Sequence, residues 1–411
     1  MLTTLPNELL LQIVGSLSHD LQALQSVAHL SHRLLPIARQ ELFKVINIRA
    51  LEHVYMDPYL CLVCELRAGP RFKTRPDLLD RRFLHKLNGR TLPELRALSL
   101  HGIDFSRTTR VYKEDWDALR TLTSVTELSL SRVVFYDEFD MMTLIRALPN
   151  LSALSLDCVE VPTDSEMLDP NAHHAPIALD RTNAGRELYT MTESRPLLSK
   201  LSLDWNYMVL QALWWLARHR PGGMPLSTLT IAPSAVGADM IIPLFGPTIV
   251  HLAMPLRPYI LRDPDDDWPR HFRKYTSLRS LTLFIDAHDP HPPEGHLCPW
   301  TQVLYVLQQG LPAPARLEAL TIDMRLAHPG PEELDGAISW GVLETLGEML
   351  VSGEYAAVQT VEFVVEWTAW PSWDLRDEAN ALMRKIRRRL SSLSDAGRLV
   401  VRYGVVREFH S

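Results

Sequence analysis

The sequence predicts an α/β fold in which N-terminal helices precede a repeated strand–helix unit with a parallel sheet. Three observations predict it. Apolar residues recur at helical spacing through roughly the first 45 residues, an apolar six-residue motif occurs nine times after residue 90, and amphipathic stretches lie between its copies. Right-handed crossovers between parallel strands would stack such units into a solenoid.

The N-terminal region is predicted to form three short helices. Leu9 and Ile13, four residues apart in the segment LPNELLLQIVGSL, give the first helix a wide apolar face. Asp20 is placed to cap the second helix and Ser31 to cap the third. Because Pro36 would fall inside the third helix, we expect a kink or two short helices there.

The six-residue motif is apolar at its first, fourth and sixth positions. Its copies are LRALSL (95–100), VTELSL (125–130), LSALSL (151–156), LSKLSL (198–203), LSTLTI (226–231), IVHLAM (249–254), LRSLTL (278–283), LEALTI (317–322) and VQTVEF (358–363). This pattern is that of the leucine-rich repeat, a strand followed by a helix. RLVVRY near residue 398 is a candidate tenth, edge strand. The ninth position, usually Asn or Cys in this repeat, is Ile103, Val133 and Val159, so we expect an irregular solenoid.

Segments between the motifs predict helices, a loop and a cap. The helical stretches are EFDMMTLIRAL before residue 149, YMVLQALWWLARH near 210, WTQVLYVLQQ near 305 and WGVLETLGEML near 345. Residues 161–196 are polar and predict a loop or flap. An amphipathic helix near 375–393 should cap the last repeat, with the Trp residues of EWTAWPSW (366–373) packed against it.

Composition excludes several functional classes. A net charge of −7 and a pI near 6.1 argue against binding to nucleic acid. The sequence has no apolar stretch of about 18 residues, which argues against a membrane span. The four cysteines are few for a chain of this length and fit a reducing compartment, so we expect a cytoplasmic and/or nuclear protein.

The sequence carries no recognised catalytic motif. It has no phosphate-binding glycine loop, no H-E-x-x-H and no G-x-S-x-G, so we expect neither catalysis nor a cofactor. Cys61 and Cys64 form a lone C-x-x-C without a second pair at zinc spacing. The segment 288–298 holds three His and one Cys among prolines, and we interpret it as a solvated loop rather than a metal site.

The N-terminal region resembles an F-box over about residues 3–44. The likeness rests on LP at its start, E-L-L-x-x-I on the first helix, an L-x-x-L step into the second helix and LSHR at 30–33. With the repeats behind it, the chain is similar to the F-box/leucine-rich-repeat proteins, particularly the divergent ones common in fungi.

The resemblance implies partners and an organisation. The F-box would dock on Skp1 within a cullin-RING ubiquitin ligase, and the repeats would bind an unknown substrate protein. Carried over by position, the Skp1-docking residues are Leu5, Pro6, Leu9, Ile13, Leu17, Leu24 and Leu30. The implied regions are the F-box at 1–45, a linker and helical cap at 46–90, and a leucine-rich-repeat-like domain with a C-terminal capping helix at 91–411.

Two alternatives remain open. The first N-terminal helix could be an ordinary core helix of a helical cap. The chain could also be a non-catalytic leucine-rich-repeat scaffold that does not act in ubiquitination, and function retained without residues 1–45 would favour that interpretation.

The repeats also predict where a substrate would bind. The fifth and seventh motif positions point away from the core, and the fifth positions are mostly Ser or Thr, which leaves an open floor on the concave face. The candidate substrate-binding residues at the seventh positions and beside them are Asp157, Asp204, Trp205, Phe284 and Asp323. Their charge favours a basic or amide-rich segment with an aromatic anchor. Small polar residues also suit a tightly curved parallel sheet, which is the structural alternative.

Overall fold

The chain divides into two compact units, Met1–Leu197 and Leu198–Ser411. The computed structural model describes residues 5–18, 20–48, 57–69, 87, 89–105, 117–135, 138–161, 196–204, 213, 216, 224–232, 245–256, 259–260, 272–286, 296–311, 316–327, 336, 338–368 and 376–406. Within these ranges, every helix is too short or too polar to cross a membrane.

Three helices open the first unit, as the sequence predicts. They are α1 (Asn7–Ser16), α2 (Leu21–Leu30) and α3 (Leu34–Phe43). The Asp20 carboxylate accepts a hydrogen bond from the Ala23 amide at 2.9 Å, which confirms the predicted cap of α2. The Ser31 hydroxyl accepts from the Arg33 and Leu34 amides at 3.2 and 3.3 Å and so holds the turn before the third helix, whose N-cap residue is Arg33 rather than the predicted Ser31.

The expected break at Pro36 is wrong, because α3 begins later than the capping residue suggested. Its first helical residue is Leu34, and a turn occupies the two residues after Ser31. Pro36 is therefore the third residue of the helix. The first amides of a helix have no intrahelical acceptor, so a proline in the first turn loses nothing and the helix runs on to Phe43.

The three helices enclose a small core of their own. It consists of Leu10, Val14, Leu24, Leu34 and Ala38. Side chains that are partly buried against it come from α2, from α3 and from the residues flanking α1: Leu5, Leu17, Val27, Ala28, Ile37 and Leu42. The helical region is thus a packed module rather than three isolated helices.

Five parallel strands follow in the first unit. They are β1 (Val45–Ile48), β2 (Glu65–Ala68), β3 (Ala97–His101), β4 (Glu127–Ser131) and β5 (Ala153–Asp157), paired in chain order. Helix α4 (Glu138–Ala147) precedes β5, as predicted. The sequence did not predict β1 and β2, which lie at and inside the segment expected to be a linker and helical cap.

Seven more parallel strands form the sheet of the second unit. In pairing order they are β6 (Lys200–Asp204), β7 (Thr228–Ile231), β8 (His251–Leu256), β10 (Ser280–Asp286), β12 (Ala319–Ala327), β13 (Thr360–Thr368) and β14 (Leu399–Val406). Two short strands, β9 (Tyr259–Ile260) and β11 (His296–Leu297), form a separate antiparallel pair.

The helices of the second unit match the sequence wherever they are described. They are α5 (Pro299–Tyr305), continued by a π turn over Val306–Gly310, α6 (Trp340–Val351), α7 (Arg376–Arg389) and α8 (Ser391–Asp395). The helix predicted near 375–393 is divided at Leu390 into α7 and α8, and its apolar residues are buried: Leu382, Ile386, Leu390 and Leu393. Leu390 packs against Gly347 of α6 so closely that a Cβ there would lie 2.7 Å from its side chain.

All nine predicted motif strands are confirmed. Each strand begins at the third residue of its motif, and every first, fourth and sixth motif residue is at most 4% exposed. RLVVRY is confirmed as an edge strand, because it lies in β14 at the end of the sheet. The helix near 210 and the 161–196 flap fall almost wholly outside the described residues, as do Trp370 and Trp373 of the expected Trp cluster.

Candidate functional site

Helix α1 presents two different apolar surfaces. Leu10 and Val14 are fully buried in the core of the helical module. Leu9 and Ile13, one residue earlier in each case, are 44% exposed. Since residues four apart lie on the same side of a helix, Leu9 and Ile13 form one outward apolar strip. Such a strip has no function within the module and is a candidate contact surface for another protein.

The structure divides the seven predicted docking residues into three groups. Pro6, Leu9, Ile13 and Leu30 are exposed, and Leu30, at the end of α2, is 64% exposed. Leu5 and Leu17 are half-buried against the module core. Leu24 lies fully inside that core, because its position on α2 faces α1 and α3. In this conformation Leu24 supports the surface from beneath and cannot contact a partner.

Two exposed leucines of the module were not selected from the sequence. Leu11 is 44% exposed and Leu21, at the start of α2, is 62% exposed. Leu11 is two residues from Leu9 and therefore about 200° around the helix from it. It flanks the core on the opposite side, so the exposed apolar residues of α1 do not form one continuous strip.

Arg33 fixes the start of α1 against the start of α3. Its guanidinium donates hydrogen bonds to the Leu5 carbonyl at 3.1 Å and to the Asn7 side-chain oxygen at 2.7 Å. Arg33 is the final residue of the LSHR segment, whose role the sequence reasoning left unassigned. The contact orients the chain at Pro6, the residue that directly precedes α1 and its exposed strip.

The face of each sheet opposite its buried leucines is called the open face below. In the first unit it carries hydroxyls in register: Ser99, Ser129 and Ser155 are paired across β3, β4 and β5. Asp157 is half-buried on this face and accepts a 2.6 Å hydrogen bond from the Ser131 hydroxyl. Its carboxylate is therefore already engaged within the sheet.

The open face of the second unit brings two candidate residues together. Phe284 of β10 and Asp323 of β12 are register partners on adjacent strands. Asp204, half-buried at the end of β6, is separated from β12 by three strands, or roughly 19 Å from Asp323 at about 4.8 Å per strand step. Trp205 lies outside the described residues.

Asp323 is the least exposed of the candidate carboxylates, at 8%. Its Oδ1 atom is buried and has no hydrogen-bond partner in the described structure. Its Oδ2 atom lies 3.7 Å from a terminal guanidinium nitrogen of Arg325. Burial, reinforced by the negative charges of Glu366 and Glu362 and opposed by Arg325, raises the pKa of Asp323 to about 6.

A charged network surrounds Asp323. The Nε atom of Arg325 lies 3.3 Å from Glu366, and the Arg325 guanidinium lies over the Phe284 ring, 5.4 Å from its centroid. On the neighbouring strand, Glu362 pairs with Arg402 of β14 at 2.9 Å. The sequence analysis missed Arg325, Glu366 and Arg402. Arg325 and Glu366 could have been found from the apolar residue at the eighth motif position of their strands. An apolar eighth residue extends the strand, so the ninth residue lies on the open face.

Comparison with known proteins leaves the chain without a family. No family model matches it, and no curated protein matches its sequence. Among solved structures, a chain in the crystal structure of the Rad7 and Elc1 complex in yeast aligns over 91% of this chain and 87% of its own length. The sequence identity is 13% and the TM-score is 0.34, a likeness that carries no argument about this chain.

Proposed function

We propose that this chain is a non-catalytic adaptor of a ubiquitin ligase. The helical module docks on Skp1, and through it on a cullin-RING ligase, while the repeat strands bind a substrate protein. The observation that carries the proposal is the strip of Leu9 and Ile13, left exposed on a module that is otherwise packed around its own core.

The size of the module supports a partner at this strip. About 40 residues cannot bury all the apolar surface of three amphipathic helices, so some of it is left for another chain to cover. Pro6 and Leu30 are exposed as well, which gives the sequence-predicted docking face four accessible members. The proposal is also supported by the uninterrupted α3, which holds Pro36 in its first turn and so completes a packed three-helix module.

The repeat strands support the substrate-binding half of the proposal. Their buried rows carry the fold, so the open faces are free to vary without loss of the core. In the second unit, the open face carries a cluster of carboxylates and guanidiniums beside Phe284. Aromatic and Arg side chains are enriched at protein–protein interfaces, and Phe284 and Arg325 are of these two kinds.

The test compares two sides of one helix at three positions of equal exposure, Leu9 and Ile13 on one side and Leu11 on the other. The full chain is co-expressed with Skp1 as wild type, as the Leu9→Asp/Ile13→Asp double variant, and as Leu11→Asp. A carboxylate in the desolvated interface should cost about 3 kcal/mol or more, which weakens binding at least about 100-fold. The double variant should lose Skp1 in a pulldown, whereas Leu11→Asp should retain it.

The matched control separates binding from folding. All substituted side chains are 44% exposed in the free module, so the variants should keep the wild-type circular dichroism spectrum and melting temperature within error. Undiminished capture of Skp1 by the double variant would refute the docking assignment. In that case the chain is better described as a leucine-rich-repeat scaffold.

A further inference from the structure

We propose that the open face of the second unit binds a basic side chain, Arg or Lys, of a partner protein at Asp323. The inference deepens the proposed function, because it names the kind of side chain that the repeats would take from a substrate. It rests on the geometry of β10, β12, β13 and β14, and not on the helical module.

The first argument is an unfilled hydrogen-bonding site. Oδ1 of Asp323 is buried and has no donor in the described structure, although the residue is 8% exposed. A carboxylate oxygen removed from water without a donor is costly, and such an atom in a native fold calls for a partner. Rotation of the carboxylate within this 8% exposed residue would present Oδ1 at the surface, where a guanidinium or ammonium group of another chain supplies both the donor and the opposite charge.

The second argument is the distribution of charge. Asp323, Glu362 and Glu366 supply three carboxylates against the two guanidiniums of Arg325 and Arg402. Each guanidinium has a closer partner than Asp323, since Arg325 lies 3.3 Å from Glu366 and Arg402 lies 2.9 Å from Glu362. The excess negative charge is therefore centred on Asp323, and it favours binding of a cationic side chain.

The third argument concerns access for a long side chain. Motif position five beside Asp323 is occupied by Thr282 and Thr321, which are in register across β10 and β12. These small residues leave room along the face, and the half-buried Phe284 ring offers an apolar surface. Arg and Lys pack their methylene groups on such surfaces while the charged end reaches a carboxylate.

A metal ion is a poorer occupant. In the described part of the chain, the carboxylates of Asp323, Glu362 and Glu366 do not converge to within 4.8 Å of one another. One cation of small radius cannot then be shared among them at metal–oxygen distances. A guanidinium or ammonium group needs only one carboxylate with further negative charge nearby.

The experiment uses peptides as probes. A random peptide library displayed on phage is selected against the immobilised full chain at neutral pH, and the selected peptides are synthesised. Each Arg is then replaced by citrulline and each Lys by acetyl-lysine, which remove the charge and keep the shape. Dissociation constants are measured by calorimetry for the wild-type chain, for Asp323→Asn and for Asp117→Asn, a control that removes the same charge at an exposed carboxylate paired with Arg120 in the first unit.

The expected result is a coupling between one peptide residue and Asp323. Neutralising one basic residue should raise the Kd for the wild-type chain at least about tenfold, or about 1.4 kcal/mol. Asp323→Asn should raise it equally and make the peptide substitution silent, whereas Asp117→Asn should leave the Kd unchanged. The neutral peptides probe the site without altering the protein, so they test the proposal even if Asp323→Asn folds poorly.

Other outcomes overturn the proposal. The proposal is wrong if the selection yields no binding peptide. It is also wrong if the selected peptides bind equally well after their basic residues are neutralised. An equal loss in Asp117→Asn and Asp323→Asn overturns the proposal too, because it would reflect overall charge. Skp1 capture by the same variants is measured separately: peptide binding without Skp1 capture refutes the adaptor role alone, and Skp1 capture without peptide binding refutes this inference alone.

Discussion

The strands β3–β5 and the strands β10, β12 and β13 share one motif but differ in how they end. In both groups the first, fourth and sixth motif residues are buried. The first group stops after five residues, whereas β10 has seven residues and β12 and β13 have nine each. The same core pattern therefore supports two kinds of strand, and the difference lies in the residue that follows the seventh position.

The eighth motif residue decides where the strand ends. In β3–β5 it is Gly102, Arg132 or Cys158, each with a positive φ of 61°, 54° or 49°. In β10, β12 and β13 it is Ile285, Met324 or Val365, each at most 2% exposed. Left-handed backbone is unfavourable for branched and bulky side chains, so these residues stay extended and add a further buried position.

Longer strands give the second unit a ninth row on its open face. That row contains Arg325 and Glu366, which are register partners and form an ion pair. In the first unit the chain has already turned at the corresponding point, and its open face ends at Asp157 with its bond from Ser131. The charged network around Asp323 is therefore a consequence of the apolar eighth residue.

The largest effect should be common to both groups of strands. Leu128 of β4 and Leu320 of β12 hold the fourth motif position and are buried. Replacing either with Ala should leave a cavity and lower the free energy of unfolding by about 2–5 kcal/mol. Urea unfolding of the full chain, followed by circular dichroism and tryptophan fluorescence, measures the loss.

Neighbouring residues on the open face provide the control. Ser129→Ala and Thr321→Ala change half-buried residues one position along the same strands, and we expect shifts within about 0.5 kcal/mol. If the leucine and open-face variants in one unit lose similar stability, the two-faced description of that sheet is wrong.

The repeats could be predicted from sequence because their signal is periodic and local. Every motif strand starts at the third motif residue, since alternation fixes which side chains face the core. Strands β1 and β2 were missed although FKVINI (43–48) and VCELRA (63–68) keep apolar residues at the first, fourth and sixth positions, because Phe, Ile, Val and Ala stand at most of these positions where the recognised copies mostly have Leu. Pro36 was misread because a capping residue marks where a helix can begin, and α3 begins after a further turn.

The candidate sites were predictable only in part. Asp323 and Phe284 follow from the seventh position, and Leu9 and Ile13 follow from helical spacing. Whether Leu9 or Leu10 faces the core is not readable from α1 alone, because its apolar face is wide enough for either. Tertiary packing against α2 and α3 decides it, and the same packing places Leu24 inside.

The next effect concerns pH and should separate Asp323 from Asp157. The pKa of Asp323 is raised from 3.8 to about 6, so between these values the folded chain holds a proton that the unfolded chain has lost. The free energy of unfolding therefore falls as pH rises through this window, and the loss is complete above about pH 6. Asp323→Asn removes the ionisation and should stabilise the chain by about 1–2 kcal/mol near pH 7.

The gain should vanish on acidification. Near pH 4 Asp323 is protonated in the folded chain, so Asp323→Asn and wild type should have similar stability. Arg325 keeps Glu366 as its partner in the variant, which limits the cost of removing the Asp323 charge. Asp157→Asn provides the comparison, because the Asp157 carboxylate has a donor in Ser131, whereas Oδ1 of Asp323 has none in the described structure. Equal pH profiles for the two variants would contradict the contrast between the open faces.

A smaller effect should follow from changing the eighth residue of β4. Arg132 is exposed and has a φ of 54°, and its amide donates to the Asp157 carbonyl at 2.8 Å. Arg132→Val places a β-branched side chain in left-handed backbone and should lower the free energy of unfolding by about 1 kcal/mol. Thermal melting of the full chain measures the change. An unchanged or higher melting temperature would show that the eighth residue does not control the strand end.

The smallest effect should have the opposite sign. Arg132→Gly relieves a backbone strain of about 1–2 kcal/mol, because glycine adopts positive φ without a Cβ clash. Part of that gain is lost, since glycine adds about 0.4–1 kcal/mol of conformational entropy to the unfolded chain. A net stabilisation of about 0.5–1 kcal/mol should remain, and the hydrogen bond from the residue 132 amide to Asp157 should be kept. Gly102 already holds this position in β3, so Arg132→Gly makes two adjacent strands end alike. A higher melting temperature for Arg132→Gly beside a lower one for Arg132→Val would tie the strand end to φ at this residue, and a loss in both would tie it to the Arg132 side chain instead.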